Sequence, residues 1–431
     1  MADKADPTEM PELRTIKPEE VKSEDFEAVD AKTREGALEI ISAVRENGED
    51  GLLKYAWRFG ELKEGVRKFI VTKEELKASF EGLPAEQQGV LQRTAERICN
   101  FARVQRASII AVETDIAGGR AGQSVVPVNR AGCYAPGGRY PLPSSVLMTV
   151  CTARAAGVAE VIVASPNPSE VTKGAAFVAG ADCLVAVGGA HAIAAMAYGS
   201  VPGVAACDII VGPGNKWVTA AKSIVNGFCG IDMLAGPSEV LVLADKTADP
   251  EVIAADLLAQ AEHDTEARPI LVTADAGVIA NVNAALRRQL AVLPTRDVAI
   301  PAVRNGFAVL APDMEAAIAI TNRIAPEHLE VQTADSQKTS DACTSFGGLF
   351  IGQGAAEALG DYGAGPNHVL PTSCTAKYTG GLSVHTFLRL RTWMRIDDPK
   401  AAQAQVSDAV VLARLEGLEG HARASELRLP K

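Results

Sequence analysis

Residues 160–225 read EVIVASPNPSEVTKGAAFVAGADCLVAVGGAHAIAAMAYGSVPGVAACDIIVGPGNKWVTAAKSIV. Three short β-branched runs, EVIVASP, CLVAVGG and DIIVGPG, each end in a Gly/Pro turn and give way to an alanine-rich segment of helical texture. Runs that are apolar on both faces suit strands covered from both sides, so their alternation with helices predicts a parallel, doubly wound α/β sheet. The uncharged window between Asp182 and Asp208 is long enough to span a bilayer. Its Gly, Ala and Ser content, with His191 and Pro202 inside it, instead spells strand, tight turn and helix.

Upstream, QSVVPV and AGCYAPGGRYPLPSSVLMTVCTARAAGV open the same pattern. Downstream, EVLVLAD, EVIAADLLAQAEH, PILVTAD, ANVNAALRRQL and GFAVLAP predict a second α/β unit. Residues 1 to about 30 are polar and proline-containing, whereas 31 to 105 repeat apolar residues every three or four positions and are expected to be helical. After Pro371 the chain is too thin to fold alone and is expected to pack as an arm on another surface, such as a second subunit.

A chain of 431 residues has room for roughly two to four domains and a large core. With 47% hydrophobic and 22% charged residues it is neither disordered nor fibrous. The 42 basic and 53 acidic side chains leave a net charge of -11 and form no Lys/Arg run, which excludes nucleic acid as an expected partner. Eight scattered cysteines without a C-x-x-C pair read as free thiols in a reducing compartment. The charged N-terminus lacks a signal-peptide apolar region, so a cytoplasmic location, or an organelle after import, is expected, and no membrane partner.

A dinucleotide fingerprint is the natural search in such a chain, but Gly212-Pro213-Gly214-Asn215-Lys216-Trp217 carries tryptophan where the third glycine belongs. The same glycines open a helix after a strand, so the turn either approaches a phosphate with its backbone amides or is a plain strand-to-helix connection.

Histidine is scarce, and four of the six keep polar company. Gln260 and His263 lie three apart at a helix end and share a face. Glu327 adjoins His328; Asp361 and His368 share the segment GDYGAGPNH; Glu416 precedes His421. Imidazole, carboxylate and amide oxygen together suit a borderline cation such as zinc, in an open, catalytic type of site. The first three pairs also have an ordinary reading: a solvated helix face for Gln260 and His263, a helix start for Glu327 and His328, a glycine turn for the third. Spacing alone does not bring the four segments together.

The strings PGGRYPLPSSVLM, VGPGN, IDMLAGPSEV, ADLLAQAEHD, APEHLE, GDYGAGPNHVLPT, GLSV and EGLEGHARA, in this order, resemble the histidinol dehydrogenase family from about residue 35 onward. The resemblance implies a zinc-containing, NAD-dependent enzyme that oxidises L-histidinol through the aldehyde to L-histidine with two NAD, the last step of histidine biosynthesis. It maps zinc onto Gln260, His263, Asp361 and His421, the last lent by the partner in a domain-swapped homodimer with shared active sites. It places Ser238, Gln260, His263, His328, Asp361, His368, Glu416 and His421 against substrate, Glu327 and His328 as the catalytic acid/base pair, and Tyr134, His191 and Asn215 at the cofactor. His191 departs from the glutamine common in the family string GGAQAIAA, so it is open to either a cofactor contact or a packing role.

The fold expected is therefore α/β, with two Rossmann-like doubly wound units. Residues 1–30 form an extension, 31–131 join 237–371 in a first domain with helical elements, 132–236 form the second, and 372–431 form the arm. The rival readings are a paralogous zinc and NAD dehydrogenase of another small alcohol, such as a sulfonated diol, a zinc hydrolase, and a silent metal-binding subunit. Glu416 favours an amino alcohol, since its carboxylate would repel a sulfonate.

Overall fold

The computed structural model describes residues 6, 9–21, 29–137 and 141–429. Gly138, Arg139 and Tyr140 of the PGGRYPLPSS string and residues 1–5, 7–8 and 22–28 of the expected 1–30 extension lie outside the described residues. In chain order the strands are β1 (Arg14–Ile16), β2 (Ile70–Thr72), β3 (Val112–Ile116), β4 (Gly119–Pro127) and β5 (Arg130–Tyr134). Next come β6 (Glu160–Ala164), β7 (Cys183–Val185), β8 (Ile209–Val211), β9 (Gly230–Ile231) and β10 (Glu239–Ala244). The last are β11 (Arg268–Thr273), β12 (Phe307–Leu310), β13 (His328–Gln332), β14 (Gly348–Ile351) and β15 (Leu388–Ile396).

Two six-stranded sheets carry the fold, ordered β2-β7-β6-β5-β8-β9 and β1-β12-β11-β10-β13-β14. Apart from the antiparallel β2, every pairing within them is parallel. Helices cover both faces of each sheet, which is why strands such as Val240–Ala244 are fully buried and read as unbroken apolar runs. The window 183–198 is a strand followed by the helix Gly189–Tyr198, and no helix among the described residues is long and apolar enough to cross a membrane. All eight cysteines are free thiols.

The partition of the chain differs from the expected one. The helices Ala31–Arg58 and Ala85–Ala107 bury their apolar faces on the β5–β9 sheet, not on the sheet of 239–351 with which 31–131 was grouped. Residues 14–16, expected in an extension, form an edge strand on β12. Helical periodicity shows which face a helix buries but not which sheet receives it.

In each sheet the strand order reverses once, between β5 and β8 in the first and between β10 and β13 in the second. Only residues 232–238 join the carboxyl end of β9 to the amino end of β10. That short link brings the carboxyl edge of the first sheet to the amino edge of the second, since seven residues reach at most about 25 Å. Hydrogen bonds fix the link: Thr219 Oγ1 donates to the Ala235 carbonyl at 3.2 Å and the Gly236 N–H donates to Thr372 Oγ1 at 2.6 Å. Past the second sheet, β15 pairs antiparallel with β4 of its own chain from Leu388↔Pro127 to Ile396↔Gly119. The helices Gln403–Leu415 and Glu419–Glu426 pack on each other around Val410, Ala413 and Ala422.

Candidate active site

The polar cluster lies on the amino edge of the second sheet, where β13 begins. Leu329 and Val331 point into the apolar layer on one face, while His328, Glu330 and Gln332 alternate onto the other. There they meet the helix Pro250–Ala261, which carries Asp256 and Gln260. The short helix Glu357–Asp361, after β14, closes the third side.

His263 Nε2 lies 3.3 Å from Asp361 Oδ2 and 4.0 Å from Glu357 Oε1. Donor atoms of these three residues all fall within 4.8 Å of one another. His328 Nε2 is 3.9 Å and His368 Nδ1 3.7 Å from Asp361 Oδ1. Gln260 turns its amide to donate to Glu357 Oε1 and to the Glu239 carbonyl, both at 3.1 Å. Asn367, which precedes His368, donates to the Met148 carbonyl at 2.9 Å, and the Arg97 Nε–H donates to the Gly363 carbonyl at 2.7 Å. The loop that carries His368 is thereby tied to helices of the first sheet.

His328 is 4% exposed, and its Nδ1–H donates to the Glu239 carbonyl at 3.0 Å. This tautomer leaves the lone pair on Nε2, which has no partner among the described residues. Burial pulls the His328 pKa down to about 4, so the ring is a neutral acceptor. Glu327 accepts the Glu239 N–H at 2.9 Å, and its Oε2 lies 3.7 Å from His328 Nδ1. Burial raises the Glu327 and Glu357 carboxyls well above the usual range. The hydrogen bond that His263 donates to Asp361 raises the His263 pKa.

Asp256, Glu327, Glu330, Glu357 and Asp361 thus gather in one partly dehydrated volume beside three histidines. Such a surplus of acid is costly unless protons or a cation offset it. The nitrogen and oxygen donors of His263, Glu357 and Asp361 suit a divalent cation of zinc's type, and the buried Glu357 Oε2 is left without a partner. The His263 side chain is 41% exposed, so the cluster opens to solvent on that side.

The family model described as histidinol dehydrogenase matches residues 24–429. The chain belongs to the histidinol dehydrogenase family. Curated histidinol dehydrogenases of Thermus thermophilus and Nitratidesulfovibrio vulgaris are similar to it at 45% identity over 395 residues and 44% over 400. Each alignment covers 90% of this chain, with 93% and 91% of the respective relative. A crystal structure of histidinol dehydrogenase from Elizabethkingia anophelis superposes with a TM-score of 0.89 at 30% identity, covering 96% of this chain and 98% of that one. The parallel α/β architecture is that of the histidinol dehydrogenase family.

The positions assigned to the cofactor in this histidinol dehydrogenase family member stand apart from the polar cluster, at the carboxyl edge of the first sheet. Tyr134 ends β5, and the turn from Gly212 to Asn215 follows β8, so both sit where the strand order reverses. A Cβ on Gly212 would lie 2.0 Å from the Tyr134 carbonyl oxygen, and its φ is +115°, so only glycine fits. The buried Lys222 and Asp232 pair with each other and grip Gly212 from both sides: Asp232 accepts its N–H at 2.7 Å and Lys222 donates to its carbonyl at 3.0 Å. Asn215 caps the following helix, accepting the Trp217 N–H at 3.0 Å. His191 is fully buried with Nε2 2.8 Å from Glu61 Oε2, which also accepts the Gly188 N–H at 3.1 Å.

Ser238 immediately precedes β10 and accepts the Arg268 N–H at 3.0 Å through its carbonyl. Glu416 and His421 line a separate hollow on the C-terminal arm with Leu412 and Leu418, and neither joins the cluster of its own chain. The sequence reading missed Glu357, Glu330 and Asp256. A signal for the first exists, since Glu357 and Asp361 stand four apart and so share a helix face. Glu330 and Asp256 lie inside apolar segments and acquire meaning only when strand and helix meet.

Proposed function

We propose that the chain oxidises L-histidinol to L-histidine in two successive NAD-linked steps, with zinc at the cluster. The observation that carries this reading is the pairing, across residues 232–238, of a glycine turn at one sheet's reversal point with an imidazole and carboxylate cluster at the other's. Ligands of open α/β sheets bind beyond the strand ends at such reversal points, which supports Tyr134 and the Gly212–Asn215 turn as the nicotinamide side. The Rossmann-like description of both units belongs to this reading.

Gln260, His263 and Asp361 would hold the cation, with Glu357 beside them. His421 of a second copy would complete the shell; what supports this is that the two terminal helices, though packed on each other, leave Leu415 and Leu427 78% and 85% exposed beside it. When bound, the cation would grip the substrate imidazole and amine while the nicotinamide accepts hydride. His328, neutral and with a free Nε2, takes the hydroxyl proton in the first oxidation. Glu327 takes a proton from water at the aldehyde stage; its raised pKa makes it the stronger base once ionised. His328 accepts the second proton. His368, Ser238 and Glu416 orient the substrate, the last through its ammonium group.

The test is NADH formation on adding L-histidinol, with two NADH per substrate and loss of turnover after chelation. Glu327→Gln should spare the first oxidation more than the second, so histidinaldehyde accumulates in a trapping assay. Turnover of sulfonated diols in preference to histidinol, or hydrolysis without NAD, would reject the reading.

A further inference from the structure

We propose that Glu330 is a positioning residue that locks the three elements carrying the site's side chains into one register. It is fully buried on β13, two residues past His328 and on the same face. Its Oε1 accepts the N–H of Glu357 at 2.8 Å, holding the first residue of the short helix that ends in Asp361. Its Oε2 accepts Gln332 Nε2 at 3.1 Å, and the same amide donates to Asp256 Oδ2 at 2.8 Å. Asp256 stands one turn before Gln260 on the helix Pro250–Ala261. One carboxyl thus joins β13, the Glu357–Asp361 helix and, through Gln332, the helix bearing Gln260.

The Glu357–Asp361 helix makes this joint consequential. Five residues are too few for a helix to hold itself, so its place depends on anchors at its ends. Without the acceptor on Glu330, the Glu357 N–H is buried and unpaired, and Asp361 loses its fixed distance to His263, His328 and His368. The inference rests on the metal reading for its affinity readout only.

Glu330→Ala, Glu330→Asp and Glu330→Gln in the full-length chain test it. Glu330→Gln keeps an oxygen for the Glu357 N–H, the Gln332 amide keeps its donation to Asp256, and the new N–H faces the same Asp256 carboxyl, which already hydrogen-bonds this side chain. After chelation, zinc alone is titrated against a competing indicator, and amide exchange is followed for residues 357–361. The expected result is a folded Glu330→Ala chain that binds zinc about 10–100-fold more weakly and exchanges these amides faster, with Glu330→Gln within about threefold of the parent. A folded Glu330→Ala chain that matches the parent in both readouts overturns the proposal. If Glu330→Ala does not fold, Glu330→Asp, too short to reach the Glu357 N–H, decides by the same two readouts. Failure of the unsubstituted chain to bind zinc would sink the metal reading, and the exchange measurement would still decide this one.

Discussion

The two sheets reverse their strand order in the same way, yet their crevices are treated differently. Between β5 and β8 the carboxyl edge ends in Tyr134 and a glycine turn gripped by Lys222 and Asp232. Between β10 and β13 the carboxyl edge is stitched together: Asp245, just past β10, accepts the Ala334 N–H beyond β13 at 2.9 Å and the Thr247 N–H at 2.8 Å. The second sheet places its polar groups at the opposite edge, where Glu239 and His328 begin their strands. The general preference for carboxyl edges is thus followed once and inverted once. The cause is the path of the chain, because the seven-residue link from β9 to β10 makes the second sheet's amino edge face the first sheet's crevice.

The difference is broken most severely at His328. His328→Asn should depress both oxidations by about 10²–10⁴-fold in kcat, since proton removal from the alcohol loses its acceptor. Stopped-flow NADH formation checks this, and unchanged rates would remove the amino edge from the chemistry. At the other edge, Lys222→Met leaves Asp232 buried without its cation and should cost about 3–5 kcal/mol in urea unfolding. The first sheet's crevice should lose its turn before the second sheet's cluster changes, and equal dinucleotide affinity in a folded variant would contradict that order.

Gly212→Ala tests the same turn more gently. Its new methyl meets the Tyr134 carbonyl in a left-handed conformation, for an expected loss of about 1–3 kcal/mol and weaker dinucleotide binding, read by calorimetry. Asp245→Asn probes the stitched edge and should have the smallest effect, about 1 kcal/mol at neutral pH, with activity retained. Burial raises the Asp245 pKa, but the hydrogen bonds from Ala334 and Thr247 outweigh it and leave the carboxyl below its usual range. The folded state therefore binds this proton less readily than the unfolded one. The stabilisation is complete above the unfolded pKa of about 3.9 and disappears as pH falls through the folded value. Denaturation curves of parent and variant should converge in acid, and a gap that widens there would refute the assignment.

Residues 160–225 disclosed their architecture because parallel strands covered on both faces have to be apolar throughout, and the turns between them need glycine. The residue types of the cluster were equally visible: Gln260, His263, Glu327, His328, Asp361 and His368 all carry chemistry on their surface. Glu330 was not, since its role begins only when β13 lies against the helix bearing Asp256. His191 shows the same limit: open in the sequence to either a cofactor contact or a packing role, it is held by Glu61, 130 residues away.

Local pattern by itself determined the strands and helices of residues 160–225, and which side chains were available for acid/base and metal chemistry. The tertiary structure decided which sheet each helix covers, which edge of each sheet carries polar groups, and which distant carboxylates meet. The physical reason is range: hydrogen bonding and apolar periodicity act over a few residues, whereas a site is made by contacts whose sequence separation carries no local mark.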